Sequence, residues 1–114
     1  MADCLFCKII NHEIPAKIVH EDEHSVAIED IHAKAPVHLL VLPRKHLVSL
    51  KEATAEDEAL LGHLHVVAGR LARDKGLEST GYRTVINNGS AAGQSVFHLH
   101  VHLLGGRAFL WPPG

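Results

Sequence analysis

Residues 97–106 read FHLHVHLLGG, with histidine at 98, 100 and 102 and Leu99, Val101 and Leu103 interleaved. No other feature constrains this chain as strongly. A helix would scatter the three imidazoles around its axis, whereas a strand puts alternate side chains on one face. The pattern predicts a strand over 96–105 with Leu99, Val101 and Leu103 on its buried side and three imidazoles on the other. Successive histidine Cα atoms then lie about 7 Å apart, and the outer two about 13 Å.

Three chemistries fit such a row. Neighbouring imidazoles on a strand can share one metal ion, although the outer pair is too far apart for one tetrahedral ion to take all three. A polar, half-exposed strand face is a second reading, one that threonine or lysine would serve equally well. The third is catalysis: a neutral imidazole is a competent nucleophile near pH 7, and flanking imidazoles hold its tautomer and move protons. Spacing alone leaves all three open.

The preceding segment, NNGSAAGQS, adds a glycine-rich loop. Gly89 and Gly93 let backbone N–H groups converge on one point, which suits anionic oxygens. Asn87 and Ser95 supply neutral donors beside them. His38 sits in PVHLLVLP between Val37 and Leu39. It is either a satisfied core histidine or a fourth imidazole reaching the row from an adjacent strand.

Elsewhere the chain alternates short elements. CLFCKIIN (4–11) predicts a short helix stopped before Pro15. AKIVHED and HSVAIED predict two strands with a tight turn at Asp22–His24, and PVHLLVLP a central strand. Residues 55–74 predict the long helix, capped by Thr54 with Asp57 at the third position and ended by Gly76. YRTVIN predicts the next strand. The expected fold class is α+β: a five-stranded, mostly antiparallel sheet with one long and one short helix, both packed on one face.

A length of 114 residues predicts a single domain over 1–114. The net charge of −2 gives no basic field for a nucleic-acid backbone. No signal-peptide pattern or membrane-length apolar run is present, and Cys4 and Cys7 are too close to staple a fold. A cytoplasmic location is the expectation. Of the 11 histidines, His12, His20, His24, His32, His63 and His65 read mostly as surface imidazoles. CLFC offers two thiols at metal-ligand spacing, which is half a site or simply two residues packed on a helix.

HLHVHLL matches, position by position, the signature of the histidine triad (HIT) family: His, apolar, His, apolar, His, apolar, apolar. IPAKIVHED, DIHAKAPVHLLVLPRKH, LLGHLHVVAG, GYRTVINNG, GGR and the terminal WPPG resemble its nucleoside phosphoramidase branch, the Hint proteins. The resemblance spans nearly the whole chain. It implies a hydrolase that splits the P–N bond of a purine nucleoside 5'-phosphoramidate, such as adenosine monophosphate (AMP) joined to lysine. His100 would be the nucleophile, His102 a phosphate contact and proton carrier, His38 part of a relay, and Ser95 a neighbour of the leaving amine. Asn87 and the N–H groups of Gly93, Gln94 and Ser95 would hold phosphate oxygens. Asp30 would bind ribose hydroxyls, and Phe6, Ile9, Ile14, Ile28 and Ile31 would wall the base. His32 departs from the small polar residue common at its position.

The resemblance also implies a structural zinc on Cys4, Cys7, His46 and His98, as in many bacterial relatives, with no metal needed for catalysis. It implies a homodimer whose sheets join into ten strands, with the tail 105–114 and its Trp111, Pro112 and Pro113 near the partner's site. Histidine rather than glutamine at 102 favours hydrolysis over nucleotide transfer. Two rival expectations are a dinucleoside polyphosphate hydrolase, against which WPPG weighs, and a zinc-stabilised nucleotide-binding protein without catalysis.

Overall fold

A computed structural model describes residues 3–114. The elements are α1 (Leu5–Ile10), β1 (Ile18–Glu21), β2 (Ser25–Glu29), β3 (Val37–Pro43), α2 (Glu58–Asp74), β4 (Tyr82–Val85) and β5 (Val101–Gly105). The five strands form one sheet in the order β1-β2-β3-β5-β4, every neighbouring pair antiparallel. The expected fold class is thus the observed one.

The helices, however, lie on opposite faces, not on one. Leu39 and Val41 of β3 join Val101 and Leu103 of β5 against Leu64, Val67, Ala68 and Leu71 of α2. Leu40 and Leu42 point the other way and join Val26 and Ile28 against Phe6, Ile9 and Ile10 of α1. The physical reason lies in β3, which is buried at six consecutive positions. A strand buried on both faces needs a cover on each, and α1 is the cover on the histidine side.

Thr54 and Asp57 form the predicted reciprocal cap. They close a 3₁₀ turn, Ala55–Asp57, from which α2 continues. The predicted last strand is shortened at its start. Beyond the Val41–Val101 pair the ladder stops, because the chain after Pro43 turns away. There Leu99 N–H donates to Leu47 O at 2.7 Å, and the His98 ring donates to Pro43 O at 2.8 Å. The alternation survives this change: Leu99, Val101 and Leu103 are all buried in the α2 core.

Two of the scattered histidines are not simple surface groups. Asp22 Oδ2 accepts from His20 Nε2 at 2.7 Å, from His63 Nε2 at 2.8 Å and from Ser25 Oγ at 2.8 Å. The contact ties the β1–β2 turn to α2. Burial alone would raise the Asp22 carboxyl, but the hydrogen bonds from His20, the His24 N–H, Ser25 and His63 outweigh it. They hold the group well below the usual carboxylate range.

Gly105 closes β5 under the core. A Cβ there would sit 2.5 Å from Leu77 Cδ1 and 2.8 Å from Cδ2, and Leu77 is buried with little room to swing. Gly105→Ala is expected to cost about 1–3 kcal/mol through overpacking, read as a lowered urea midpoint at unchanged slope.

Candidate active site and metal centre

The histidine face of β5 meets His38 from β3, and α1 packs on that face through Phe6, against His98 and His100. His100 is buried, and its ring packs edge-on against Phe6 at 5.0 Å between centroids. Its Nδ1–H donates to His98 O at 2.7 Å. That bond fixes the tautomer and leaves Nε2 as the unprotonated nitrogen. Among the described residues nothing hydrogen-bonds to that nitrogen.

The neighbouring rings form an ordered chain. Lys34 N–H donates to His38 Nδ1 at 3.0 Å, so the His38 ring hydrogen sits on Nε2. It lies 2.9 Å from His102 Nδ1 and 3.3 Å from Asp30 Oδ2. His102 Nδ1 therefore accepts, and its own hydrogen sits on Nε2. That atom is buried and unpartnered among the described residues. Buried polar atoms are rarely left so; this one is aimed into the site.

Burial sets the charge state of all three rings. It pushes His102 down to about 4, with His100 and His38 adding to the effect. Burial lowers His100 and His38 in the same way, against a partly opposing pull from Asp30. The rings are neutral at pH 7. An unfolded chain takes up these protons from about pH 6.5 downward, whereas the folded His102 resists until about 4. Stability is therefore full above pH 6.5 and is lost as pH falls toward 4. Between pH 7 and 5 the wild type is expected to lose about 2 kcal/mol more than His102→Gln, measured by urea unfolding of both at each pH.

A hollow of about 320 Å³ opens beside these rings. Phe6, Ile9, Ile14, Ile28, Asp30, Ile31, Ser95, His100 and His102 all line it. Sequence reasoning missed Leu5, Glu29, His32, Leu40, Val96 and the 15–17 stretch, which complete the wall. Only a knowledge of which loop faces α1 would have found them. Asp30 Oδ1 accepts His32 N–H at 2.8 Å, so one oxygen shapes its own turn while Oδ2 faces His38.

Three expected phosphate ligands are placed differently. Asn87, Gly93 and Gln94 do not line the hollow. Gly93 N–H donates to Ser90 O and Gln94 N–H to Gly89 O. The Gln94 side chain accepts from Gly89 N–H at 2.8 Å and donates to Val48 O at 2.6 Å and Val96 O at 3.2 Å. Gln94 is buried and spends its polar atoms bracing the loop. What the loop offers the hollow is Ser95 and Val96. The Ser95 hydroxyl and both backbone N–H groups have no acceptor among the described residues.

His98 takes part in a different constellation. Its Nε2–H donates to Pro43 O, which leaves Nδ1 with a free lone pair. That atom lies 3.4 Å from Cys4 Sγ, 3.6 Å from Cys7 Sγ and 3.1 Å from His46 Nδ1. All four donor atoms fall within 4.8 Å of one another. A tetrahedral zinc with bonds of about 2.0–2.3 Å spaces its ligands at roughly this separation. The residues fit such an ion by donor type and spacing, and the Pro43 carbonyl holds the His98 ring with Nδ1 toward the other donors. With no ion, burial and the Cys4 thiol raise Cys7 to about 11, so metal capture must expel thiol protons. The row of histidines is thus divided: His98 belongs to a possible metal site, His100 and His102 to the hollow.

Comparison with known proteins agrees with this geometry. A family model described as the HIT domain matches residues 11–109. An uncharacterized HIT-like protein of Synechococcus elongatus is 55% identical over 98% of this chain and 97% of its own length. The crystal structure of a HIT family hydrolase from Legionella pneumophila superposes with a TM-score of 0.96 at 47% identity, covering 98% of this chain and all (100%) of that one. A zinc-bound histidine triad family protein from Mycobacterium smegmatis gives a TM-score of 0.79 at 34% identity, covering 93% of this chain and 76% of the other. Its interleaved histidines, its sheet and its near-complete match to these proteins make the chain a member of the HIT family.

Proposed function

We propose that the protein is a purine nucleoside 5'-phosphoramidase, with AMP-amine conjugates as its substrates. The observation that carries this reading is the His100 tautomer, with Nδ1–H held by a strand carbonyl and Nε2 free beside a hollow of nucleoside size. The apolar walls suit a purine face, and the Asp30 carboxylate suits ribose hydroxyls as their acceptor. Ser95 and the Val96 N–H would receive phosphate oxygens.

The reaction then runs in two displacements. Bound phosphate favours the protonated form of the His38–His102 pair, which holds one extra proton close to Asp30. His100 Nε2 forms a bond to phosphorus as the P–N bond breaks. The departing nitrogen takes the proton from His102 Nε2 and leaves as the amine. Water then attacks phosphorus, the His100–phosphorus bond breaks, and the water's proton returns to His102. AMP and free amine are the products.

The Cys4, Cys7, His46 and His98 set would hold a structural zinc. With all four positions filled by protein it offers no open site for substrate. The zinc-bound mycobacterial relative supports this choice of ion. A homodimer is supported by the open β4 edge and by the tail, where Leu110 and Trp111 are each 82% exposed.

Turnover of an adenosine phosphoramidate against diadenosine polyphosphates tests the reading. A kcat/KM at least tenfold higher for the phosphoramidate is expected. Preference for the polyphosphate, or binding of AMP with turnover of neither, overturns it.

A further inference from the structure

After β5 the chain runs into Gly106 and Arg107 and folds back over the loop that precedes β3. Gly105 pairs with Val37. Gly106 follows at φ +90°, and a Cβ on it would sit 2.9 Å from Pro36 Cβ. Glycine meets both demands. The turn brings Arg107 onto the loop, where its Nε–H donates to Lys34 O at 3.0 Å. The guanidinium is itself held. Its Nη1 donates to Ala108 O at 3.0 Å, and its Cζ lies 4.3 Å from the centre of the Phe109 ring. Arg83 of β4 takes the same ring at 5.2 Å and donates to Leu110 O at 2.9 Å, which secures the tail.

The carbonyl that Arg107 takes belongs to the residue on which the imidazole chain turns. Lys34 N–H donates to His38 Nδ1 at 3.0 Å, and His38 Nε2 lies 2.9 Å from His102 Nδ1. Two neutral imidazoles joined in this way can be arranged with either polarity. In one, the outer hydrogen is on His102 Nε2 and faces the hollow. In the other it is on His38 Nδ1, and His102 Nε2 is bare. An N–H cannot donate to an N–H, so the Lys34 amide permits only the first. It keeps protons off the far side of His38 and leaves them where a departing nitrogen can take one. The loop that carries this amide is exposed from Ile31 to Lys34. The bond from His32 N–H to Asp30 Oδ1 fixes its start but not Lys34. A shift of Lys34 by about 1 Å would break its bond to His38.

We infer that Arg107 is a positioning residue for the proton relay: by holding the Lys34 carbonyl it keeps the Lys34 N–H on His38 Nδ1, and so fixes which end of the His38–His102 pair carries the transferable hydrogen. Arg107 does not line the hollow and acts through the loop alone. Its effect on turnover rests on the phosphoramidase reading; its effect on the rings does not.

The test compares full-length wild type, Arg107→Ala and Arg107→Lys by nitrogen NMR of the histidine rings without substrate, and by turnover of an adenosine phosphoramidate. In wild type His38 Nδ1 is expected at the shift of an unprotonated ring nitrogen and Nε2 at that of an N–H. Arg107→Ala is expected to bring in the opposite tautomer and to lower kcat about tenfold, with KM within about twofold of wild type. Arg107→Lys keeps a cation on the Phe109 ring and a donor for the Lys34 carbonyl. It is expected to restore the wild-type ring shifts and to bring kcat within about threefold of wild type. Unchanged His38 shifts in Arg107→Ala overturn the inference, even where its urea midpoint falls, since the arginine then only fastens the tail. An altered tautomer with unchanged kcat also overturns it. Failure of the wild type to hydrolyse any phosphoramidate overturns the phosphoramidase reading instead, and the ring shifts still decide whether Arg107 sets the tautomer.

Discussion

His100→Ala is expected to reduce phosphoramidate turnover by about 10⁴-fold or more while AMP binding weakens less than about tenfold. The split follows from what the ring does. His100 Nε2 supplies the bond that replaces P–N, and the two imidazoles chained beside it have their unprotonated nitrogens engaged: His102 Nδ1 accepts from His38, and His38 Nδ1 accepts from Lys34. The binding surface is separate, being made by α1, β2, Asp30 and the Ser95–Val96 segment. Removing the ring leaves a gap beside Phe6 but breaks only one hydrogen bond, to the His98 carbonyl. Circular dichroism and urea unfolding would establish that the variant folds. Rapid quenching of the wild type with a slow substrate should trap nucleotide on His100. Residual turnover within a hundredfold of wild type, or nucleotide trapped elsewhere, would remove the nucleophile from the scheme.

The second large effect concerns the metal centre. The purified protein is expected to contain one zinc per chain by elemental analysis. Stripping it with a strong chelator, or Cys4→Ser with Cys7→Ser, is expected to cost about 4 kcal/mol at free zinc a thousandfold above its dissociation constant. For a chain of this length that is a fall in melting temperature on the order of 10 °C or more. The size of the effect comes from what the four ligands join. Cys4 and Cys7 start α1, His46 follows β3, and His98 precedes β5. One ion would fasten three distant segments and keep α1 on the second face of the sheet. Turnover should change far less than stability, because the ligands offer no open position. A protein that is purified without zinc and melts identically with chelator would refute the assignment.

The legible parts of this molecule were those set by local rules. A period of two put Leu99, Val101 and Leu103 in the core and the histidines opposite them. Thr54 and Asp57 announced a helix start from three residues' separation. What depended on distant pairing was not legible. Nothing near residue 5 says which face α1 covers; the clue was the unbroken apolar run of β3, which needs a cover on both sides. The glycine loop was read correctly as a turn-rich segment beside the site. The N–H groups of Gly93 and Gln94 nevertheless close the loop on itself, and only Ser95 and Val96 reach the hollow. Asp22 read as a turn residue and His63 as a surface one, because their contact spans 41 positions.

The place of β5 in the sheet has a consequence for biosynthesis. It leaves the ribosome after all the other strands, yet it belongs between β3 and β4. Cys4 waits 94 positions for His98, which at ordinary elongation rates is roughly 5–20 s. Within that interval, from the completion of β3 onward, β3 shows a bare edge, and β4 once made has no neighbour, so the nascent chain is open to pairing with another copy on the same polysome. Aggregation during translation should therefore respond to how quickly the codons between β4 and the end of β5 are read.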